Sequence, residues 1–77
     1  QVKLAAAFLE EQGFKVLLSR EPGATAMGRE IRRLLLSPDF LTETLTELLL
    51  YLADRREHVQ KVIQPHVEQG FLVLVDR

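Results

Sequence analysis

Asp76 and Arg77 follow directly on the apolar run Phe71-Leu72-Val73-Leu74-Val75. Such an unbroken run reads as a strand covered on both faces, as in a parallel sheet. In sheets of that kind ligands bind beyond the carboxyl ends of the strands. An acid and a guanidinium emerging at that rim suit a magnesium–phosphate site better than a packing role.

Three more groups of residues could do chemistry. Arg20-Glu21-Pro22-Gly23-Ala24-Thr25 closes an earlier strand on the same rim. Pro22 fixes its own φ and pushes Glu21 toward extended geometry, which makes a stiff wall; spacing alone leaves an ordinary strand-to-helix turn open. Arg29, Arg32 and Arg33 lie at i, i+3 and i+4, so one helix face carries several donor forks suited to phosphate, or a solvated face paired with Glu30 and Asp39. Tyr51 and Arg55 are four apart and share a face. An aromatic platform beside a bidentate donor can stack on a nucleobase and hydrogen-bond its edge; core packing for Tyr51 and a surface pair of Arg55 with Asp54 or Glu57 stay open. His58 and His66 have no third ligand at metal spacing and read as surface or helix-end residues.

The elements that must position these groups follow from periodicity and punctuation. Leu4, Phe8 and Leu9, with Ala5 to Ala7, predict a helix over 2–12 with no capping residue ahead of it, and Gly13 as its stop. Residues 14–19 read as the first strand. Thr25 caps a second helix running to Leu36, with Gly28 a weak point in its first turn, and Ser37-Pro38-Asp39 breaks it. Thr42 starts a longer helical segment, apolar around most of its circumference through Leu45, Leu48, Leu49, Leu50 and Leu52, and therefore suited to a core or a subunit interface. It continues to Val67, with a kink or restart at Pro65; Gly70 closes it before the last strand. The result is α/β, with two parallel strands and three to four helices. Two parallel strands cannot cover themselves, and both ends lack helix or strand boundaries, so residues 1–77 read as a single partial domain from inside a larger one.

Composition sets the outer limits. The 77 residues are 47% hydrophobic and 27% charged, which is globular rather than disordered. A formal net charge of -1 gives no footprint for a nucleic-acid polymer or an anionic membrane surface. The absence of cysteine excludes a disulfide framework and thiolate metal sites and fits a cytoplasmic protein. No stretch approaches the roughly 20 apolar residues of a membrane helix.

In order, Arg20-Glu21-Pro22-Gly23-x-Thr25, Gly28-x-Glu30-Ile31-Arg32, Leu34-Leu35-Leu36, Glu47-Leu48-Leu49-Leu50-Tyr51-x-Ala53-Asp54-Arg55, His58-Val59, Val62-Ile63-x-Pro65 and Gly70 leading into Asp76-Arg77 resemble thymidylate kinase. The resemblance implies a P-loop kinase of three-layer αβα fold with a parallel sheet. Such an enzyme moves the γ-phosphoryl of ATP to dTMP with Mg²⁺, giving dTDP for dTTP synthesis. Tyr51 takes the position of the aromatic that stacks on thymine, usually Phe in that family, and Arg55 that of the donor to the base edge. Arg32 and Arg77 would hold the acceptor phosphate, Pro22 and Leu36 would line the nucleoside pocket, and Glu21 would lie close by. Asp76 would sit near the metal, directly or through water, making Asp76 and Arg77 the expected catalytic pair. Ala24 stands where the family usually has Gly. The resemblance also implies a homodimer through the Leu-rich helix.

By the same likeness, the Gly-x-x-x-x-Gly-Lys-Ser/Thr loop belongs ahead of Gln1 and the arginine-bearing lid beyond Arg77. Residues 1–77 are thus expected to be the acceptor-nucleotide half, inactive by themselves. Two other readings remain: a P-loop kinase for another nucleotide, and a non-catalytic helical interaction module docking through residues 42–63.

Overall fold

The computed structural model describes residues 1–40 and 43–77. Its order is α1 (Val2–Glu11), β1 (Lys15–Arg20), α2 (Ala26–Leu36), α3 (Thr44–His58), a wide turn of helix (Val59–Ile63), α4 (Gln64–Glu68) and β2 (Phe71–Asp76). The two strands pair in parallel from Lys15↔Phe71 to Arg20↔Asp76. Their carboxyl ends therefore finish side by side, and the Glu21 N–H extends the ladder by donating to the Asp76 carbonyl at 2.9 Å. α1 lies against this sheet, and α2 packs on α3.

Local chemistry explains most boundaries. α1 does have a cap: Gln1 Oε1 accepts from the N–H groups of Lys3 (2.7 Å) and Leu4 (3.3 Å), a role the sequence reading did not give it, since Gln is not a usual capping residue. The helix then ends at Gly13, whose φ of +95° lies in the left-handed region. Phe14 falls outside β1, and Arg20 inside it. Thr25 caps α2 as expected, its Oγ1 accepting from the Gly28 N–H at 2.8 Å. The expected start of the long helix at Thr42 lies outside the described residues. Glu43 caps α3, accepting from Thr46 N–H and Oγ1–H and from Leu45 N–H; those bonds, from Thr46 above all, hold its carboxyl below the usual glutamate range. The α-helix restarts at Gln64 with Pro65 in its first turn, as expected. The turn before it widens, Gln64 N–H reaching back to the Val59 carbonyl, which accommodates a residue with no N–H to give.

Burial on α3 runs against its hydrophobicity. Its buried residues are Asp54 and His58, while Leu45, Leu48, Leu49 and Leu52 are exposed. β2 is likewise half-buried rather than covered on both faces, because one strand and short helices cannot enclose it. The chain exposes 5716 Å², against about 4,800 Å² for a compact monomer of this mass. Large apolar side chains among the described residues, from Leu4 and Phe8 on α1 to Leu52 on α3, are exposed. Among the described residues, no helix is long and apolar enough to cross a membrane.

Candidate functional site

The site is built around Glu21, at the joined ends of the two strands. Its side chain is 8% exposed and meets three cations or donors. Oε1 accepts from Arg55 Nε at 2.7 Å. Oε2 accepts from His58 Nδ1 at 2.7 Å, since a carboxylate can only accept. Arg77 Nε stands 3.6 Å from Oε1, attracted by charge but beyond hydrogen-bond length. Burial alone would push the Glu21 carboxyl up; the hydrogen bonds from His58 and Arg55, reinforced by the Arg55 charge, outweigh it and hold the group below the usual glutamate range. His58 is itself 1% exposed, and its Nε2 lies 2.5 Å from Ser19 Oγ on β1.

A second buried acid fixes the loop between β1 and α2. Asp54, 2% exposed, accepts from the Gly23 N–H at 3.0 Å through Oδ1. Gly23 has a φ of +109°, and a side chain there would press on the Arg32 stem, so glycine is required on two counts. Gly28 stands against the same Asp54 oxygen and the Thr25 hydroxyl, where a Cβ would collide. Far from a weak point in α2, Gly28 is what lets α2 approach α3 closely enough for Asp54 to reach the loop.

Glu21, Pro22, Tyr51, Asp54, Arg55 and Arg77 line one hollow of about 210 Å³. The Glu21–Pro22 peptide on its wall is cis. The expected residues Glu21, Pro22, Tyr51, Arg55 and Arg77 thus come together. Three others do not line this hollow. Arg32 packs its stem on Gly23, next to Pro22; Leu36 is exposed at the end of α2; and Asp76 lines a separate hollow of about 200 Å³ with Val2, Lys3, Leu18, Ser19 and Arg20. Of the remaining basic cluster, Arg33 pairs with Glu30 at 2.8 Å on the surface. Arg55 reaches Glu21 rather than Asp54 or Glu57, and Glu57 pairs with Lys61 instead.

Two residues are found by the structure alone. His58 does close α3, as a helix-end histidine, but it is a buried link between β1 and Glu21 and not a surface residue, and Asp54 is a buried anchor rather than a surface partner. A signal for both lies in the sequence. Tyr51, Asp54, Arg55 and His58 fall at i, i+3, i+4 and i+7, a complete polar stripe on a Leu-rich helix. The leucines at 45, 48, 49 and 52 form a second such stripe, offset by roughly 120° at 100° per residue.

Chemically, the hollow offers a flat aromatic ring, an arginine fork oriented by a carboxylate, a proline wall and a second arginine paired to that carboxylate by charge without a hydrogen bond. That set suits a planar heterocycle carrying an anionic group. A family model described as thymidylate kinase matches residues 1–77. The thymidylate kinase of Halothermothrix orenii is 47% identical over 77 residues, covering 100% of this chain and 37% of that protein; that of Dichelobacter nodosus is 48% identical, covering 100% and 38%. The chain therefore spans a little over a third of the length of these curated relatives. A crystal structure of thymidylate kinase from Ehrlichia chaffeensis superposes with a TM-score of 0.85 at 38% identity, over 99% of this chain and 44% of that one. The parallel strands, the helix pair and the order of the motifs are accounted for together: this chain belongs to the thymidylate kinase family.

Proposed function

We propose that the protein transfers the γ-phosphoryl of ATP to dTMP, giving dTDP for dTTP synthesis, and that residues 1–77 supply its acceptor-nucleotide side. The observation that carries this reading is the convergence of Tyr51, Arg55, Pro22 and Arg77 on one hollow around Glu21. Tyr51 stacks on the base, and Arg55, with Nε spent on Glu21, offers its terminal amino groups to the base edge. Arg77 holds the acceptor phosphate. Arg32, whose stem packs on Gly23 beside Pro22, joins it there, and Leu36 borders the nucleoside side. The hollow's volume of about 210 Å³ is below the roughly 300–1,000 Å³ of a whole-ligand pocket, so it takes the base end and leaves the phosphates to the rim.

Asp76 is the residue that would hold Mg²⁺, directly or through water. One carboxylate fits that ion, which keeps most of its waters and is otherwise bound by substrate phosphates; no group of three or more ligating side chains is found among the described residues. When bound, the ion supplies charge neutralisation at the phosphates. The chain's own residues contribute positioning and fixed positive charge, which are the main demands of phosphoryl transfer. We place the protein in the cytoplasm and pair two copies through the exposed Leu45, Leu48, Leu49 and Leu52 face of α3.

The test is phosphorylation of dTMP, dCMP and AMP by the full-length protein and by Arg77→Ala. Preference for dTMP, with the variant about 10–100-fold slower, is expected from one lost charge-assisted contact. Preference for a purine contradicts the Tyr51/Arg55 assignment, and an unaffected variant contradicts that of Arg77.

A further inference from the structure

We propose that His58 is a positioning residue for the acceptor's anionic group: it fills one oxygen of Glu21 so that Arg77 keeps its hydrogen-bond donors. The inference rests on reading the Glu21 hollow as the acceptor site. Glu21 has two oxygens and three suitors. A carboxylate with both oxygens open and a guanidinium within reach close into a bidentate pair, and Arg77 Nε is only 3.6 Å away. That closure does not happen, because Oε2 is taken from the buried side by His58 Nδ1 and Oε1 by Arg55 Nε, each at 2.7 Å.

The result is a division of labour between two arginines on one wall. Arg55 is bonded and so held in place; Arg77 is drawn toward the hollow by charge, yet keeps its donors, with a side chain 65% exposed. Two guanidiniums on this wall meet two carboxylates, Glu21 and Asp54; with Asp54 accepting from the Gly23 N–H and Glu21 from Arg55 and His58, the donors left for an anionic ligand are those of Arg77.

His58 can do this only with a hydrogen on Nδ1. The Glu21 carboxylate, which can only accept, calls for that hydrogen; Ser19 Oγ, 2.5 Å from Nε2, is compatible with it, because a hydroxyl can donate to Nε2 of the neutral ring. The link spans β1 and α3, so the wall's charge pattern is set from inside the fold, by a residue that never lines the hollow.

The experiment uses the full-length protein and two polar variants. His58→Asn puts an amide nitrogen near the place of Nδ1 and keeps the bond to Glu21. His58→Gln puts it near Nε2, facing Ser19, and loses that bond. Calorimetric affinities for dTMP and for thymidine are compared, because thymidine lacks the phosphate. In His58→Gln the dTMP-to-thymidine affinity ratio is expected to fall about tenfold, as for one charge-assisted contact diverted to Glu21; in His58→Asn it is expected to stay near that of the unmodified protein. A merely structural role would move both ligands together. An unchanged ratio in His58→Gln, or an equal loss in both variants, overturns the inference while leaving the functional reading intact. Unmodified protein that binds no dTMP overturns the functional reading, and this inference with it. Independently of any variant, ¹⁵N NMR of the unmodified protein should find the His58 hydrogen on Nδ1; a ring protonated on Nε2 alone also overturns it.

Discussion

Replacing Gly28 by alanine separates two opposed expectations. A glycine inside a helix ordinarily costs about 1 kcal/mol relative to alanine, so a judgement from helix propensity alone makes Gly28→Ala stabilising. The structure reverses the sign. The new Cβ would collide with Asp54 Oδ1 and stand 3.0 Å from Thr25 Oγ1 and 3.4 Å from Gly23 Cα. None of these is the far end of a flexible chain: Asp54 is held by Gly23, Thr25 is the cap of α2, and Gly23 Cα is backbone. Overpacking of this kind costs about 1–3 kcal/mol. Driving Asp54 off the Gly23 N–H breaks a buried bond to a charged group, worth about 1.5–3 kcal/mol. After the propensity gain, a net loss of roughly 2–5 kcal/mol remains. Urea denaturation of the full-length protein measures it as a lower midpoint at unchanged slope. The double variant Gly28→Ala/Asp54→Ala should lose less than the two single variants together, because removing the carboxylate makes room for the methyl group. A more stable Gly28→Ala protein, or strict additivity, would refute the close-approach reasoning.

Three further outcomes follow from the same geometry. Glu21 releases its proton more readily folded than unfolded, so its stabilising contribution is complete above the ordinary glutamate pKa of about 4.3 and is lost as pH falls through the lower folded value; Glu21→Gln should flatten that acid-side slope in denaturation curves taken at successive pH values. Tyr51→Ala should weaken dTMP binding by about 5–150-fold, the equivalent of roughly 1–3 kcal/mol of stacking, while Tyr51→Phe should bind within a few-fold of the parent, both read by calorimetry. Leu48→Asp, on the exposed stripe of α3, should lower the sedimenting mass from that of a pair to that of one chain, and an unchanged mass would remove this face as the contact between copies.

What the sequence discloses of this site depends on how far each partner lies along the chain. The bend at Glu21-Pro22, the acid at the end of β2 and the Tyr51/Arg55 pair rest on local rules of punctuation, strand end and helical spacing, and the structure gathers most of these residues at one hollow. The parallel pairing of the strands and the cap at Thr25 are legible for the same reason. The polar stripe carrying Asp54 and His58 is visible in the sequence, but their burial is not, because what buries them is remote: their partners Gly23 and Glu21 are 31 and 37 residues away. Composition puts acids and histidines in solvent, and the leucine stripe of α3 points to a different face as the buried one. Gly28 misleads for a related reason, since propensity weighs its own helix and not the carboxylate of the neighbouring one. Gln1 shows that capping preference is only a preference when the side chain can still reach.

The wide turn at Val59–Ile63 makes this stretch of helix intolerant of changes in length. Upstream, His58 faces Glu21; downstream, His66 Nδ1 donates to the Val62 carbonyl at 2.7 Å, and its ring meets Phe71 edge-on at 5.2 Å. Excising a single residue between them would let the backbone ladder close normally, but everything after the cut would swing by about 100°. His66 would leave Phe71, and with it would go one guide for setting β2 in step beside β1. Phase along the helix is thereby converted into alignment between strands, so a chimera joining two relatives at this point must take the whole swollen turn from one parent.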